Sequence, residues 1–113
     1  MNKEWFAGKW NIYHMDRWDE DTLHKGGQAY IEIAPNALGW LKFGMIDAKI
    51  DGITDYPRKD RMEFCWQGDE VDLFVSGWGW VKKKKDELEG YIKIYTGQDH
   101  KFLARKAMDS GRL

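Results

Sequence analysis

The chain has 113 residues and a formal net charge of -1, with 42% hydrophobic and 33% charged residues. Such a composition argues against a disordered chain, and the near-neutral charge argues against a nucleic-acid binder held mainly by its total charge. A chain of this length usually forms one domain, so we expect a single β-barrel domain over residues 1–113 without a separate cofactor domain.

Turn signals punctuate the chain at short intervals and separate eight candidate strands. These predicted strands cover residues 9–15, 28–34, 39–46, 48–54, 61–67, 72–82, 87–95 and 101–107. Helix is scarce: one helical turn is predicted over residues 4–7 and another over 19–25, where Asp19 can serve as the N-cap.

Side chains in these segments alternate with a period of two, which is typical of strands. Trp10, Ile12 and His14 share one face of the first segment, and Phe64 and Trp66 share one face of the fifth. Eight such strands are enough for an antiparallel sheet to close on itself. The sequence therefore predicts an all-β protein, either an antiparallel up-and-down barrel or a strongly curled meander of about eight strands.

The cysteine content and the N-terminus indicate the compartment. Cys65 is the only cysteine, which excludes the intramolecular disulfides common in small secreted domains. Charged residues interrupt every apolar stretch near the N-terminus, and no apolar run approaches the roughly 18 residues that span a bilayer. We expect a soluble, cytoplasmic protein with no membrane partner.

The motif Gly8-Lys9-Trp10, which opens the first predicted strand, resembles the Gly-x-Trp start of the calycin barrels, including lipocalins and fatty-acid-binding proteins. In those families the Trp closes one end of the barrel and a basic residue of the last strand packs across its ring. The resemblance implies these structural roles for Gly8 and Trp10, with Arg105 or Lys106 as the basic residue.

Longer segments are also similar to a group of small uncharacterised bacterial proteins. They are LGWLKFGMIDAKIDG, EFCWQGDEVD, SGWGW and GYIKIYTGQDHKFLARK. The resemblance covers most of the chain and implies no established activity.

Residues with catalytic or metal-binding chemistry are few and lack specific spacing. His14 with Asp16, and Asp99 with His100, could converge as metal ligands, but such pairs are commonly ordinary hydrogen-bonded pairs. Cys65 has aromatic neighbours in the sequence and is more typical of an inert strand residue than of a nucleophile. We predict no catalytic residue, metal or cofactor.

The leading functional prediction is a noncatalytic binding module that holds a small apolar or aromatic ligand in the barrel. The residues expected to face inward and contact this ligand are His14, Phe43, Met45, Asp47, Phe64, Trp66, Trp80 and Phe102. His14 and Asp47 would orient the ligand by hydrogen bonds, and the apolar side chains would bury its surface. The same aromatic side chains could instead fill the interior completely.

The alternative is a protein-interaction module of the inhibitor or immunity type, in which acidic segments 16–21 and 69–72 engage a basic partner. A filled core with a one-sided acidic patch would favour this alternative, and an enclosed empty cavity would favour the ligand. Trp78 and Trp80 precede the lysine run 82–85, a combination found in single-strand nucleic-acid binders. Because the chain is near neutral, no nucleic-acid partner is predicted, and the sequence leaves the oligomeric state open.

Overall fold

The strands of the computed structural model, which describes residues 5–53 and 61–107, close into one antiparallel up-and-down barrel. Each strand pairs with the next along the chain, and the last pairs with the first. The elements are β1 (Gly8–Met15), α1 (Glu20–Leu23), β2 (Tyr30–Ile33), β3 (Leu38–Phe43), β4 (Ile46–Ile53), β5 (Arg61–Glu70), β6 (Leu73–Lys84), β7 (Glu87–Ile94) and β8 (Asp99–Lys106). The predicted all-β barrel of eight strands is confirmed.

The helical predictions have different outcomes. Asp19 caps α1 as expected, and its side chain accepts a hydrogen bond from the backbone amide of Thr22 at 2.8 Å. The turn predicted over 4–7 begins outside the described residues, and residues 5–7 are not helical. No helix in the described part of the chain is long and apolar enough to cross a membrane.

Apolar side chains from all eight strands are buried in the barrel interior. The largest of these fully buried side chains include Phe43, Phe64, Trp66, Phe102, Ile12, Met15, Ile31, Leu41, Leu88 and Ile92. The rings of Phe43 and Trp66 meet edge to face, with centroids 6.1 Å apart. Aromatic pairs favour this arrangement, so the contact between the rings adds to the stabilisation that their buried area provides.

Glycines on β6 and β7 make room for the largest rings. A Cβ atom added at Gly90 would lie 2.1 Å from Cζ of Phe102. One added at Gly77 would lie 2.9 Å from the indole of Trp66. Because each distance is far inside van der Waals contact, these ring positions require glycine on the neighbouring strand.

Trp10 closes the end of the barrel at which β1 begins. Its side chain is 2% exposed, and its Nε1 donates to the backbone oxygen of Phe6 at 2.9 Å. Nζ of Lys106 lies 4.5 Å from the centre of the Trp10 ring, because the register places the two residues opposite each other. Arg105 instead lies over the ring of Tyr13 at 3.9 Å. Of the two predicted basic residues, Lys106 packs across Trp10.

Gly8 is required by both its backbone and its neighbour. Its φ angle is +128°, a region that side chains disfavour, and a Cβ there would lie 2.9 Å from Nζ of Lys106. Gly8, Trp10 and Lys106 therefore have the arrangement that the calycin resemblance implies.

A bulge in β1 changes which side chains face inward. The register with β8 shifts between Ile12 and His14, so β1 contains one extra residue there. After the bulge Met15 is buried in the core, whereas the His14 side chain is 55% exposed. The inward orientation predicted for His14 is wrong because the simple alternation does not continue through the bulge.

The inward orientations predicted for Met45 and Asp47 are also wrong, because of the turn between β3 and β4. The predicted strand 39–46 ran through Gly44 and Met45, but these two residues form the turn, with Gly44 at φ +59°. The inward positions resume at Ile46, so Met45 and Asp47 are exposed. Trp80 also lies on the outer face, because valines and glycines occupy the inward positions of β6.

The turn between β5 and β6 lies further along the chain than predicted. Gly68 was expected at this turn, but it pairs with Ala48 inside the sheet, and a Cβ there would lie 1.9 Å from the backbone oxygen of Asp47. The turn is formed by Val71 and Asp72, which gives the two longest strands of the barrel.

We expect Trp10→Ala to lower the free energy of unfolding by about 3–5 kcal/mol, because it removes a buried ring and creates a cavity. Lys106→Ala should lower it by only about 0.5–2 kcal/mol, the range of a cation–ring contact. Urea unfolding of the two variants measures both values. An equal loss in both would contradict the dominance of ring burial.

Gly90→Ala should lower the free energy of unfolding by about 1–3 kcal/mol through overpacking against Phe102. In a Phe102→Leu background the same substitution should cost less, because the ring no longer occupies the space. A double-mutant cycle by urea unfolding measures this coupling, and additive effects would show that the ring and glycine do not share the space.

Candidate functional site: the acidic end of the barrel

Four connecting segments meet at the end of the barrel opposite Trp10, and we call this region the acidic end. It comprises residues 16–27, 44–47, 69–74 and 95–99. The amide of Gly44 donates to Leu23 at 2.8 Å, and the amide of Gly26 donates to Gly44 at 3.1 Å. The guanidinium of Arg17 donates to the backbone oxygen and the carboxylate of Asp99. These hydrogen bonds join the first two segments to each other and the first to the last.

Acidic residues are concentrated in these segments. The acidic end carries nine of the 19 acidic residues, but only two of the 18 lysines and arginines. The acidic residues are Asp16, Asp19, Glu20, Asp21, Asp47, Asp69, Glu70, Asp72 and Asp99, and the basic ones are Arg17 and Lys25. These segments therefore have a formal charge of -7, and the remaining sequence has an excess of six cations. Two of those cations reach the acidic end, since Nζ of Lys42 lies 3.0 Å from Asp47 and Nζ of Lys93 donates to the backbone oxygen of Gly97 at 3.2 Å.

Exposed apolar side chains lie among these carboxylates. Val71, Leu73 and Phe74 in the β5–β6 hairpin are each 68% exposed. Tyr95 is 84% exposed and Met45 is 41% exposed. Single exposed apolar residues are common on protein surfaces, so it is their number at one end of a small domain that makes this region a candidate site.

The backbone conformation at Val71 is unfavourable for a valine. Its φ angle is +58°, in the left-handed region that a β-branched residue rarely adopts. Asn or Gly would suit the same turn better and would be more soluble. Neither backbone preference nor core packing explains an exposed valine at this position, which is consistent with a binding role.

The segment around α1 is tied to the barrel by aromatic contacts. Trp18 packs edge to face against Phe43, with ring centroids 5.4 Å apart, and against His100 at 5.8 Å. Nδ1 of His100 lies 3.0 Å from the backbone oxygen of Asp16, and Nε1 of Trp18 donates to Nε2 of His100 at 3.4 Å. Both nitrogens of this buried imidazole are therefore engaged in structural hydrogen bonds.

The residues predicted as metal-ligand candidates do not form a metal cluster. His14 and Asp16 form an exposed pair at 3.2 Å, and Asp99 is engaged by Arg17. Within residues 5–53 and 61–107, no three His, Cys, Asp or Glu side chains are placed to hold one ion. Cys65 is exposed, on the outer face of β5.

Two open surface grooves border the acidic end. One, of about 570 Å³, includes Arg17, Trp18, Asp19 and His100 in its lining. The other, of about 400 Å³, lies on the outer face of β2 to β5, and its lining includes Tyr30, Trp40, Asp47, Asp69 and Phe74. Both grooves place aromatic rings beside carboxylates, which suits ligands with exposed cationic and apolar groups.

The structure separates the eight predicted ligand-binding residues into two groups. Phe43, Phe64, Trp66 and Phe102 are buried together in the interior. The other four, His14, Met45, Asp47 and Trp80, lie on the outside. Nε1 of Trp66 is buried and has no hydrogen-bond partner among the described residues. The binding roles of all eight remain predictions.

Sequence reasoning identified the acidic segments but missed the apolar residues between the carboxylates. The signal was present in Asp69-Glu70-Val71-Asp72-Leu73-Phe74, where three apolar residues stand in and directly after the turn, among the acidic residues. Comparisons of the chain with protein-family models, curated proteins and solved structures find no match.

The pKa of Asp19 lies below its ordinary value of 3.8, because the carboxylate accepts hydrogen bonds from Thr22, first from its backbone amide. A lowered pKa in the folded state means that the cap stabilises α1 fully above pH 3.8. The stabilisation is lost as the pH falls through the lowered pKa. We expect the Thr22 amide proton, followed by NMR, to shift with a midpoint below pH 3.8.

Asp19→Asn is the matched control, because its side-chain oxygen can still cap the helix but does not titrate. The Thr22 amide should then show no such transition. A midpoint above 3.8 in the unmodified protein would contradict the cap's electrostatic role.

Proposed function

We propose that this chain is a noncatalytic binding module whose acidic end docks onto a basic surface of another protein. The observation that carries the proposal is the set of exposed apolar side chains in the β5–β6 hairpin, led by Val71, Leu73 and Phe74 at 68% exposure. These side chains stand beside Asp69, Glu70 and Asp72.

The two kinds of side chain have different parts in such an interface. Apolar and aromatic groups supply affinity when water is removed from around them. Carboxylates at the rim accelerate encounter with a positive surface and disfavour negatively charged partners. The partner should therefore present lysines or arginines around an apolar depression that receives the hairpin.

The barrel is suited to present this hairpin rigidly. A two-residue turn connects two long paired strands, so little conformational freedom remains to be lost on binding. Apolar side chains from every strand are buried in the interior and the acidic residues lie at one end, an arrangement that supports a protein-interaction module.

The proposal can be tested with a matched pair of double variants purified from the protein's own cell. Leu73→Ser with Phe74→Ser removes the apolar groups of the acidic end, and Leu38→Ser with Ile53→Ser removes similarly exposed groups elsewhere. We expect one basic protein to copurify with the unmodified chain and the control, and to be absent from the acidic-end variant.

The rate at which the unmodified protein associates with that purified partner should fall steeply with added salt. At low salt, the double variant Asp69→Lys with Asp72→Lys should associate about tenfold or more slowly than the unmodified protein. Stopped-flow measurements at several ionic strengths give these rates. If no protein is lost selectively, or if the lost protein is acidic, the proposal is wrong.

A second candidate function is the binding of a small apolar or aromatic ligand inside the barrel. The unpartnered indole N–H of Trp66 favours it, because a buried donor without an acceptor is costly and a ligand oxygen would satisfy it. Native mass spectrometry of the protein from its own cell would reveal a retained molecule. Loss of that molecule in Trp66→Phe would support the site, whereas no bound molecule and no saturable fluorescence change with apolar metabolites would reject it.

We also propose that the barrel is of the calycin type and that the protein acts in the cytoplasm. The packing of Lys106 across Trp10, with Gly8 making room for the lysine, supports the first proposal. The single cysteine, Cys65, supports the second, since a reducing compartment does not require disulfides.

A further inference from the structure

A row of aromatic side chains stands on the outer face of β6 and β7, and we call it the aromatic face. It consists of Trp78, Trp80 and Tyr91 on β6 and β7. Trp80 stacks on Tyr91 with an interplanar angle of 17°, and Trp78 packs against Tyr91 with centroids 5.5 Å apart. Trp78 is 48% exposed, so its ring is the most accessible surface of the row.

Cations surround these rings. The guanidinium of Arg61 lies 5.0 Å from the centre of the Trp80 ring, and Nζ of Lys82 lies 5.9 Å from it. Lys93 stands opposite Trp78 in the register, and Lys101 stands opposite Tyr91. Arg61 and Lys82 each have a carboxylate within 4 Å, whereas neither Lys93 nor Lys101 has one among the described residues.

The near-neutral total charge argued against a nucleic-acid partner, but the charge is unevenly distributed along the chain. The net charge of -1 is the sum of a formal charge of -7 in the segments of the acidic end and +6 in the remaining sequence. Over a Debye length of about 8–10 Å a bound strand senses the local charge rather than the total. The lysine run 82–85 begins beside Trp80 and ends in the β6–β7 turn, so it extends the positive surface from the aromatic face.

We propose that the aromatic face binds single-stranded nucleic acid, with unpaired bases stacking on Trp78 and phosphates contacting Lys93, Lys101 and Lys82. Every base offers a flat face to an aromatic ring, so this recognition is tolerant of sequence. The hydroxyl of Tyr91 is held by a 2.9 Å hydrogen bond to Asp99, which fixes its ring beside Trp78.

Single strands fit this face better than duplexes or neutral glycans. A duplex keeps its bases stacked within the helix, so it can use the lysines but not the Trp78 ring. A neutral glycan can stack on the ring but derives no attraction from the four cations around it. The residues proposed to contact the strand lie outside the acidic end, but the two surfaces adjoin, since Asp99 accepts from the Tyr91 hydroxyl and Gly97 accepts from Lys93.

The experiment measures binding of a fluorescent oligo-dT of about 20 nucleotides at about 50 mM salt by anisotropy. Trp78→Ala should weaken binding about 5- to 150-fold, the effect of losing one stacked base. Trp78→Phe should restore much of the affinity because it keeps a ring. Lys93→Gln with Lys101→Gln should reduce the log–log salt slope by about 0.7 per lysine.

Trp40→Ala is the matched control. Trp40 is 50% exposed on β3, with Nζ of Lys49 5.6 Å from its ring centre, so it has similar exposure and a similar cation but lies on another part of the barrel. Its removal should leave oligonucleotide binding unchanged. Thermal unfolding of each variant confirms that it is folded.

Several outcomes would overturn the proposal. They are the absence of binding by the unmodified protein, equal binding of a duplex of the same length, an equal effect of Trp40→Ala, and saturable binding of a neutral oligosaccharide in place of the oligonucleotide. Failure of the acidic end to select a basic protein would not affect the result, so the two proposals can be rejected separately.

Discussion

The space available inside an eight-stranded barrel is the constraint on which the rest of this structure depends. The barrel is just wide enough for side chains to fill, so each large ring needs a small residue opposite it. Cζ of Phe102 lies 2.1 Å from the position that a Cβ would take at Gly90. At Gly77 that position lies 1.9 Å from the backbone oxygen of Lys93 and 2.9 Å from the indole of Trp66. With the rings seated in this way, apolar side chains occupy much of the interior.

The two ends of the closed barrel are covered by different elements. Trp10 and Lys106 cover one end, whereas α1 and three connecting segments cover the other. The second end is held by specific contacts, with Trp18 packed between Phe43 and His100. The β5–β6 hairpin extends there because its turn lies at Val71 and Asp72 rather than at Gly68. This longer hairpin exposes the apolar side chains that distinguish the acidic end from an ordinary charged surface.

Charge and aromatic side chains are distributed unevenly over the outside. Carboxylates gather around the apolar hairpin, while lysines and Arg61 surround the Trp78 row. On each surface, rings or aliphatic groups stand among charges of predominantly one sign, although Arg61 and Lys82 on the aromatic face are paired with Glu63 and Glu89. The predominant sign influences which partners each surface can accept. A barrel without free sheet edges can present such surfaces without inviting strand-to-strand association.

Much of the fold followed from the sequence by itself. Regular turn signals and period-two alternation indicated eight antiparallel strands, and Asp19 marked the start of α1. The closed end at Trp10 was implied by the resemblance of Gly8-Lys9-Trp10 to the calycin barrels. These features are local, because a turn residue, a cap or an alternating segment depends on its immediate neighbours. Tertiary structure decided the rest: the bulge that turns His14 outward, the turn that places Met45 and Asp47 outside, and the choice of Lys106 over Arg105. Each depends on how one strand pairs with another, and a shift of one residue moves a side chain to the opposite face of the sheet.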